Sequence, residues 1–168
     1  MGLFCSALFL FASCQTQEGH ATIRTRADLP PAARAAADRV ALNPYLHVWR
    51  DDALMARGGK ARVVISLARQ RGTLYLDEQP AMDFPVCTGR DDSTPRGTFT
   101  VLEKDVHHRS NIYDVSMPYF MRLTWGGVGL HVGDVYNCPV SHGCIRMTRE
   151  ACIPLYRHLP LGGTVEIE

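Results

Sequence analysis

Ser141-His142-Gly143-Cys144, with His131 ten residues before Ser141 and Arg146 two residues after Cys144, is the stretch best equipped for chemistry. A thiol attacks carbon only as thiolate, so it needs a base or a positive charge beside it. His131 and His142 are both candidates for that base. His131 closes the apolar run Gly127-Val128-Gly129-Leu130, which reads as a buried strand delivering its last side chain to a site. Gly143 allows the backbone to bend sharply ahead of Cys144. Such a turn can aim the N–H groups of Gly143 and Cys144 at one point, as an oxyanion hole requires. Arg146 carries a planar fork suited to a substrate carboxylate, or equally to the carbonyls of its own loop.

The same residues admit duller readings. A cysteine considered alone is by default a buried, inert thiol. Its setting between two histidines and an arginine favours the nucleophile instead. His131, Cys138, His142 and Cys144 could together hold zinc, but the Cys-x-x-Cys knuckle typical of such sites is missing. His107 and His108 precede Arg109-Ser110-Asn111 and read as a polar loop over the cleft. Tyr113 and Tyr119 would line that cleft, with core packing as the alternative.

These residues resemble the signature of the bacterial L,D-transpeptidases of the YkuD fold, a histidine followed after a spacer by Ser/Thr-His-Gly-Cys and an aliphatic residue. Here these are His131 and Ser141-His142-Gly143-Cys144-Ile145. The spacer is short, as in the branch with His-x-Gly and a proline just before the tetrad. Thr94-Pro95-Arg96-Gly97-Thr98-Phe99 is similar to the family's Thr-Pro-x-Gly-x-Phe motif, and Met117 to Leu123 to the strand before the catalytic one. The resemblance covers residues 60–168. It implies a mainly β fold, a sandwich of mixed sheets with one helix packed behind the active site. It also implies an enzyme that needs no metal or organic cofactor and works on peptidoglycan stem peptides. Cys144 would form an acyl-enzyme with a tetrapeptide stem, and His131 would serve as base, oriented by the carbonyl of the next residue. Ser141, His142, Gly143, Arg146 and Tyr119 would hold the oxyanion and substrate. An amine acceptor gives cross-linking or protein anchoring. Water as acceptor would make the same chemistry a carboxypeptidase or a wall-protein-releasing hydrolase, and a non-catalytic, zinc-stabilised wall-binding module is the more distant alternative.

The rest of the chain must position these groups. Its 168 residues suffice for one well-cored domain and a short extension. Lys and Arg total 18 against 17 acidic residues, which excludes the basic surface of a nucleic-acid binder. Leu3 to Ala12 is apolar, shorter than the roughly 20 residues of a membrane span, and suits a secretory leader. Phe11-Ala12-Ser13-Cys14 is similar to a bacterial lipobox, in which a lipidated Cys14 would tether the exported protein to a membrane. Residues 1–14 are thus read as signal peptide and lipobox, 15–59 as linker and short helical extension, and 60–168 as the catalytic domain.

Within the extension, Pro31 and the alanines after it predict a helix ending before Asn43-Pro44, with Tyr45, Leu46, Val48 and Trp49 able to pack on the domain. From Ala61 the period becomes that of strands: 62–67, 72–76, 81–87, 98–102, 120–125, 128–131 and 162–168. Thr148 to His158 reads as the one later helix, with Pro154 in its first turns. Once Cys5, Cys14 and Cys144 are assigned to leader, anchor and nucleophile, Cys87, Cys138 and Cys152 remain. A bridge from Cys138 would stiffen the spacer.

Overall fold

The computed structural model describes residues 47–136 and 138–168. The leader, Cys14, the polar linker and the alanine-rich helix expected before Asn43 lie outside the described residues.

Two hairpins build one half of the fold. In β2 (Ala61–Ser66) and β3 (Arg71–Leu76) every second residue is apolar, and Val63, Ile65, Leu74 and Leu76 are buried. β3 turns into β4 (Gln79–Cys87) through Asp77 and Glu78, whose φ values of 49° and 62° are the twist a two-residue hairpin needs. Pro80, just ahead of the strand expected from residue 81, is itself inside β4 opposite Tyr75. There the register shifts, a bulge that accommodates a residue with no N–H to give.

β4 is long enough to serve two neighbours. Its first part pairs with β3, and Val86 and Cys87 pair with β9 (Ile145–Met147). The mixed sheet therefore curls, running β5–β10–β2–β3–β4–β9–β8–β7–β6. The remaining members are β5 (Gly97–Thr100), β6 (Glu103–Asp105), β7 (Phe120–Arg122), β8 (Gly129–Val132) and β10 (Thr164–Ile167). β10 lies parallel to β2, and β8 parallel to β9; the other pairs along this order are antiparallel.

The later helix, α2 (Arg149–His158), starts where Thr148 Oγ1 accepts from Ala151 N–H at 3.3 Å. Pro154 is the sixth helical residue, in the second turn and so within the first turns as expected, and the bond to the Glu150 carbonyl is lost. Lys104 of β6 closes the other end, donating from Nζ to the carbonyls of Tyr156 at 2.5 Å and Leu159 at 2.8 Å. Ala151, Cys152 and Leu155 share one core with Leu130, Ile145 and Met147, so α2 packs behind β8 and β9.

Part of the stretch read as linker and extension belongs to the sheet. β1 (Trp49–Arg50) pairs with Met82 and Asp83 of β4, and α1 (Asp52–Arg57), capped by Asp51, buries Leu54. Neither element has the length to show a period in sequence.

Gly72 sets a tight test of this packing. A Cβ there would stand 2.5 Å from the buried Phe84 ring and 2.9 Å from Ile65 Cδ1. Gly72→Ala is expected to cost about 1–3 kcal/mol through overpacking, read as a lower urea midpoint with unchanged slope.

Candidate active site

The parallel pairing of β8 and β9 brings the sequence-predicted residues together. Leu130 faces Ile145, His131 faces Arg146 and Val132 faces Met147 across strands spaced roughly 4.8 Å apart. Side chains alternate along each strand. Leu130, Ile145 and Met147 turn into the core toward α2, which leaves His131 and Arg146 on the other face. Cys144 lies two residues before Arg146, so the same period places it on the face shared by Arg146 and His131. A parallel pair cannot be closed by a tight hairpin, and the spacer between His131 and the tetrad is the crossover such a pair requires.

His131 is only 5% exposed, and its Nδ1 lies 2.8 Å from the carbonyl oxygen of Val132. A carbonyl only accepts, so Nδ1 carries the proton and Nε2 keeps its lone pair. Burial, against the opposing effect of that hydrogen bond, lowers the pKa of His131 to about 4, helped by the nearby charges of Arg146 and His108. His108 itself stacks on the buried Phe120 ring at 4.2 Å, with Nδ1 3.4 Å from Asp105. The Phe120 centroid lies 6.4 Å from that of His131.

Cys144 Sγ donates to the carbonyl of Gly127 at 3.3 Å. Burial raises its pKa, while the backbone of Gly129 and the charges of Arg146 and Arg122 pull it back down. Both principal shifts favour the uncharged partners, thiol and imidazole, over a thiolate–imidazolium pair. Arg146 is half-buried, its guanidinium makes no hydrogen bond or ion pair among the described residues, and its side-chain stem lies against Gly133.

The turn before Cys144 is tightly held. Ser141 Oγ donates to the carbonyl of Cys144 at 2.5 Å and accepts from Gly143 N–H at 3.1 Å. Ser141 N–H donates to Thr88 O, and Arg90 N–H to Ser141 O, each at 3.0 Å. Gly143 takes φ +130°, and its N–H is therefore engaged by Ser141 rather than aimed outward. His142 is exposed, stacks on Tyr113 at 4.6 Å and meets Arg90 Nη2 at 3.2 Å. Tyr119 is turned toward α2, edge-on to Tyr156 at 5.4 Å and beneath Arg149.

Two participants were not assigned a part from sequence. Thr94, seen only within its motif, is a buried hydroxyl bonded to both Gly89 and Gly143. The carbonyl of Gly127, which accepts the hydrogen bond of the thiol, has no side-chain signal at all. Among the described residues no three or more of His, Cys, Asp and Glu group as metal ligands. The described cysteines are free thiols, and Cys87 Sγ donates to the Cys138 carbonyl at 2.8 Å, holding the spacer without a bridge.

With this geometry in place, the comparisons with known proteins fall into line. The L,D-transpeptidase catalytic-domain profile, YkuD, matches residues 60–167. This chain belongs to that family. It is similar in structure to an L,D-transpeptidase from Mycobacterium smegmatis, with 25% identity, a TM-score of 0.62, and coverage of 66% of this chain and 59% of that one. An L,D-transpeptidase from Mycobacterium tuberculosis H37Rv gives 27% identity and a TM-score of 0.60, covering 66% of this chain and 58% of that one. L,D-transpeptidase 3 of Mycobacterium tuberculosis, solved with a faropenem-derived adduct, shares the fold at 23% identity and a TM-score of 0.61, over 66% of this chain and 61% of that one. The chain thus spans about three-fifths of the length of these family members. No curated protein matches it significantly.

Two titrations follow from the shifts. A histidine whose folded pKa is depressed from 6.5 to about 4 adds full stability above pH 6.5, and that stability drains away as pH falls through 6.5 toward 4. The expected loss is about 1–3 kcal/mol in urea titrations over this window, and His131→Gln should flatten it. The Cys144 thiol, raised by burial, should alkylate with iodoacetamide at a rate still climbing above pH 9. An alkylation plateau reached near pH 7 would contradict a neutral thiol.

Proposed function

We propose that this family member is a cysteine acyltransferase that acts on peptidoglycan stem peptides. The observation that carries the proposal is the His131 ring, fixed at Nδ1 by Val132 O and free at Nε2, one strand away from the Cys144 turn. Cys144 attacks the carbonyl of the third residue of a tetrapeptide stem, a diamino acid, at its L centre. As Sγ bonds to carbon, its proton passes to Nε2 of His131. The oxyanion is received by the Cys144 N–H, because Gly143 N–H is already given to Ser141. Collapse then breaks the C–N bond, and D-Ala leaves as an amine with the proton from His131. An amine of a neighbouring stem takes the acyl group from the thioester, and His131 relays its proton, giving a cross-link.

A neutral resting pair suits this sequence. The proton moves only as the carbonyl arrives, so the buried site never has to hold two opposite charges without substrate. Arg146 lowers the cost of thiolate as it develops and, with its guanidinium unpaired among the described residues, binds a substrate carboxylate. The exposed His142–Tyr113 stack forms one wall of the substrate cleft. Tyr119, packed against Tyr156 and Arg149 of α2, supports the core behind the site and does not line the cleft. No metal or organic cofactor enters these steps. Residues 60–168 form the body of the catalytic domain, 15–59 connect it to the leader while adding β1 and α1 to it, and 1–14 direct export and lipid anchoring through Cys14 to the cell envelope. Among the described residues no helix is long and apolar enough to cross a membrane.

Intact-mass analysis with faropenem, a β-lactam acyl donor, tests the acylation step. One adduct mapping to Cys144 is expected in the parent and none in Cys144→Ala. An adduct retained by Cys144→Ala, or none on reduced and folded parent protein, would overturn the assignment.

A further inference from the structure

Thr94 is 2% exposed, and its hydroxyl is engaged twice. It accepts from Gly89 N–H at 2.7 Å and donates to Gly143 C=O at 2.9 Å. A hydroxyl has one proton to give, and Thr94 gives it to the residue just before the proposed nucleophile. Gly143 C=O and Cys144 N–H belong to the same peptide unit. That unit is planar and trans, so the two bonds point in opposite directions, and fixing one fixes the other. We infer that Thr94 is a positioning residue that sets the direction of the Cys144 N–H toward the developing oxyanion. The inference rests on the acyl-transfer reading above and deepens it.

The neighbouring bonds do not do this task. Gly143 N–H, held by Ser141 Oγ, belongs to the preceding peptide unit, and Cys144 C=O, also held by Ser141 Oγ, belongs to the following one. The unit between them adjoins a glycine at φ +130°, with no side chain to restrict its rotation. The Thr94 hydroxyl fastens that unit. Its hydrogen bond also polarises the amide, which makes the Cys144 N–H a better donor.

The surroundings fit this use. Pro95 restricts Thr94 to extended backbone. Gly89 has no Cβ; one placed there would stand 2.9 Å from Gly143 N and Cα. The close approach of the two glycine backbones is what lets a single hydroxyl reach both. Beneath them Gln70, itself buried, donates from Nε2 to Thr88 Oγ1 at 2.7 Å and accepts from Thr88 N–H at 2.9 Å, so the strand end carrying Gly89 is rigid.

Two reactions at the same sulfur separate positioning from general damage. Acylation by faropenem passes through an oxyanion; alkylation by iodoacetamide is displacement at a saturated carbon and does not. In the full chain, Thr94→Val keeps the shape and removes the hydroxyl. It should slow acylation by about 10- to 100-fold while changing alkylation less than about twofold. Thr94→Ser, which retains the hydroxyl, should recover most of the acylation rate. Thr94→Ala removes the hydroxyl without adding bulk and is expected to match Thr94→Val. Acylation at the parent rate in Thr94→Val would overturn the inference, as would a parallel fall in acylation and alkylation. A parent protein that is alkylated at Cys144 but never acylated would remove the acyl-transfer reading itself, an outcome distinct from either.

Discussion

The register of the parallel pair β8–β9 is the constraint on which the site depends. With Leu130 opposite Ile145, the core-facing residues of both strands meet α2, and the alternate residues His131 and Arg146 emerge together on the other face. A slip of one residue in either strand would put a histidine or an arginine into the core and an isoleucine or leucine into the site. Burial of Leu130, Ile145 and Met147 thus enforces the geometry of the polar residues beside them. The shared core with Leu155 and Ala151 of α2 makes that register costly to change.

Electrostatics within this frame oppose charge. Burial lowers His131 and raises Cys144, so the site at rest holds a thiol and a neutral imidazole. The bond from Nδ1 to Val132 O selects the tautomer that leaves Nε2 able to accept. The chain then supplies fixed dipoles and the charges of Arg146 and Arg122 where thiolate would develop. Arg146 acts on both titrating groups, favouring thiolate at Cys144 and disfavouring imidazolium at His131. These opposite effects come from a single guanidinium, and they keep the imidazole neutral while lowering the cost of a thiolate.

The turn is held from one side by a strand end and from below by buried polar side chains. Thr88 and Arg90 bond Ser141 on both sides of Gly89, and Gln70 bonds Thr88. A backbone that turns through a glycine at φ +130° cannot satisfy itself through regular pairing. Side-chain hydroxyls from Ser141 and Thr94 take over the bonds that strands would otherwise supply. The His142–Tyr113 stack joins the turn to the loop before β7, a link between segments that have no strand pairing with each other among the described residues.

Amino-acid types and spacing alone determined the chemistry-bearing set: a thiol behind a glycine, a histidine ending an apolar strand and an arginine in register two residues on. They also located most of the strands and the helix after Met147, since alternation and capping are local properties that a short window reveals, but not β6 or β9, whose three residues are too few to show alternation. The chain by itself left His131 and His142 as rival bases. Tertiary structure gives them different surroundings: burial and the Val132 carbonyl tune His131, whereas His142 lies exposed on an aromatic ring. It also placed Tyr119 against α2 and knitted β1 and α1 into the sheet. The parts played by Thr94 and the Gly127 carbonyl were illegible for the same reason: a hydroxyl's or a carbonyl's partner is set by segments distant along the chain. Periodicity reports which face a residue occupies, and only the closed fold decides what stands opposite it.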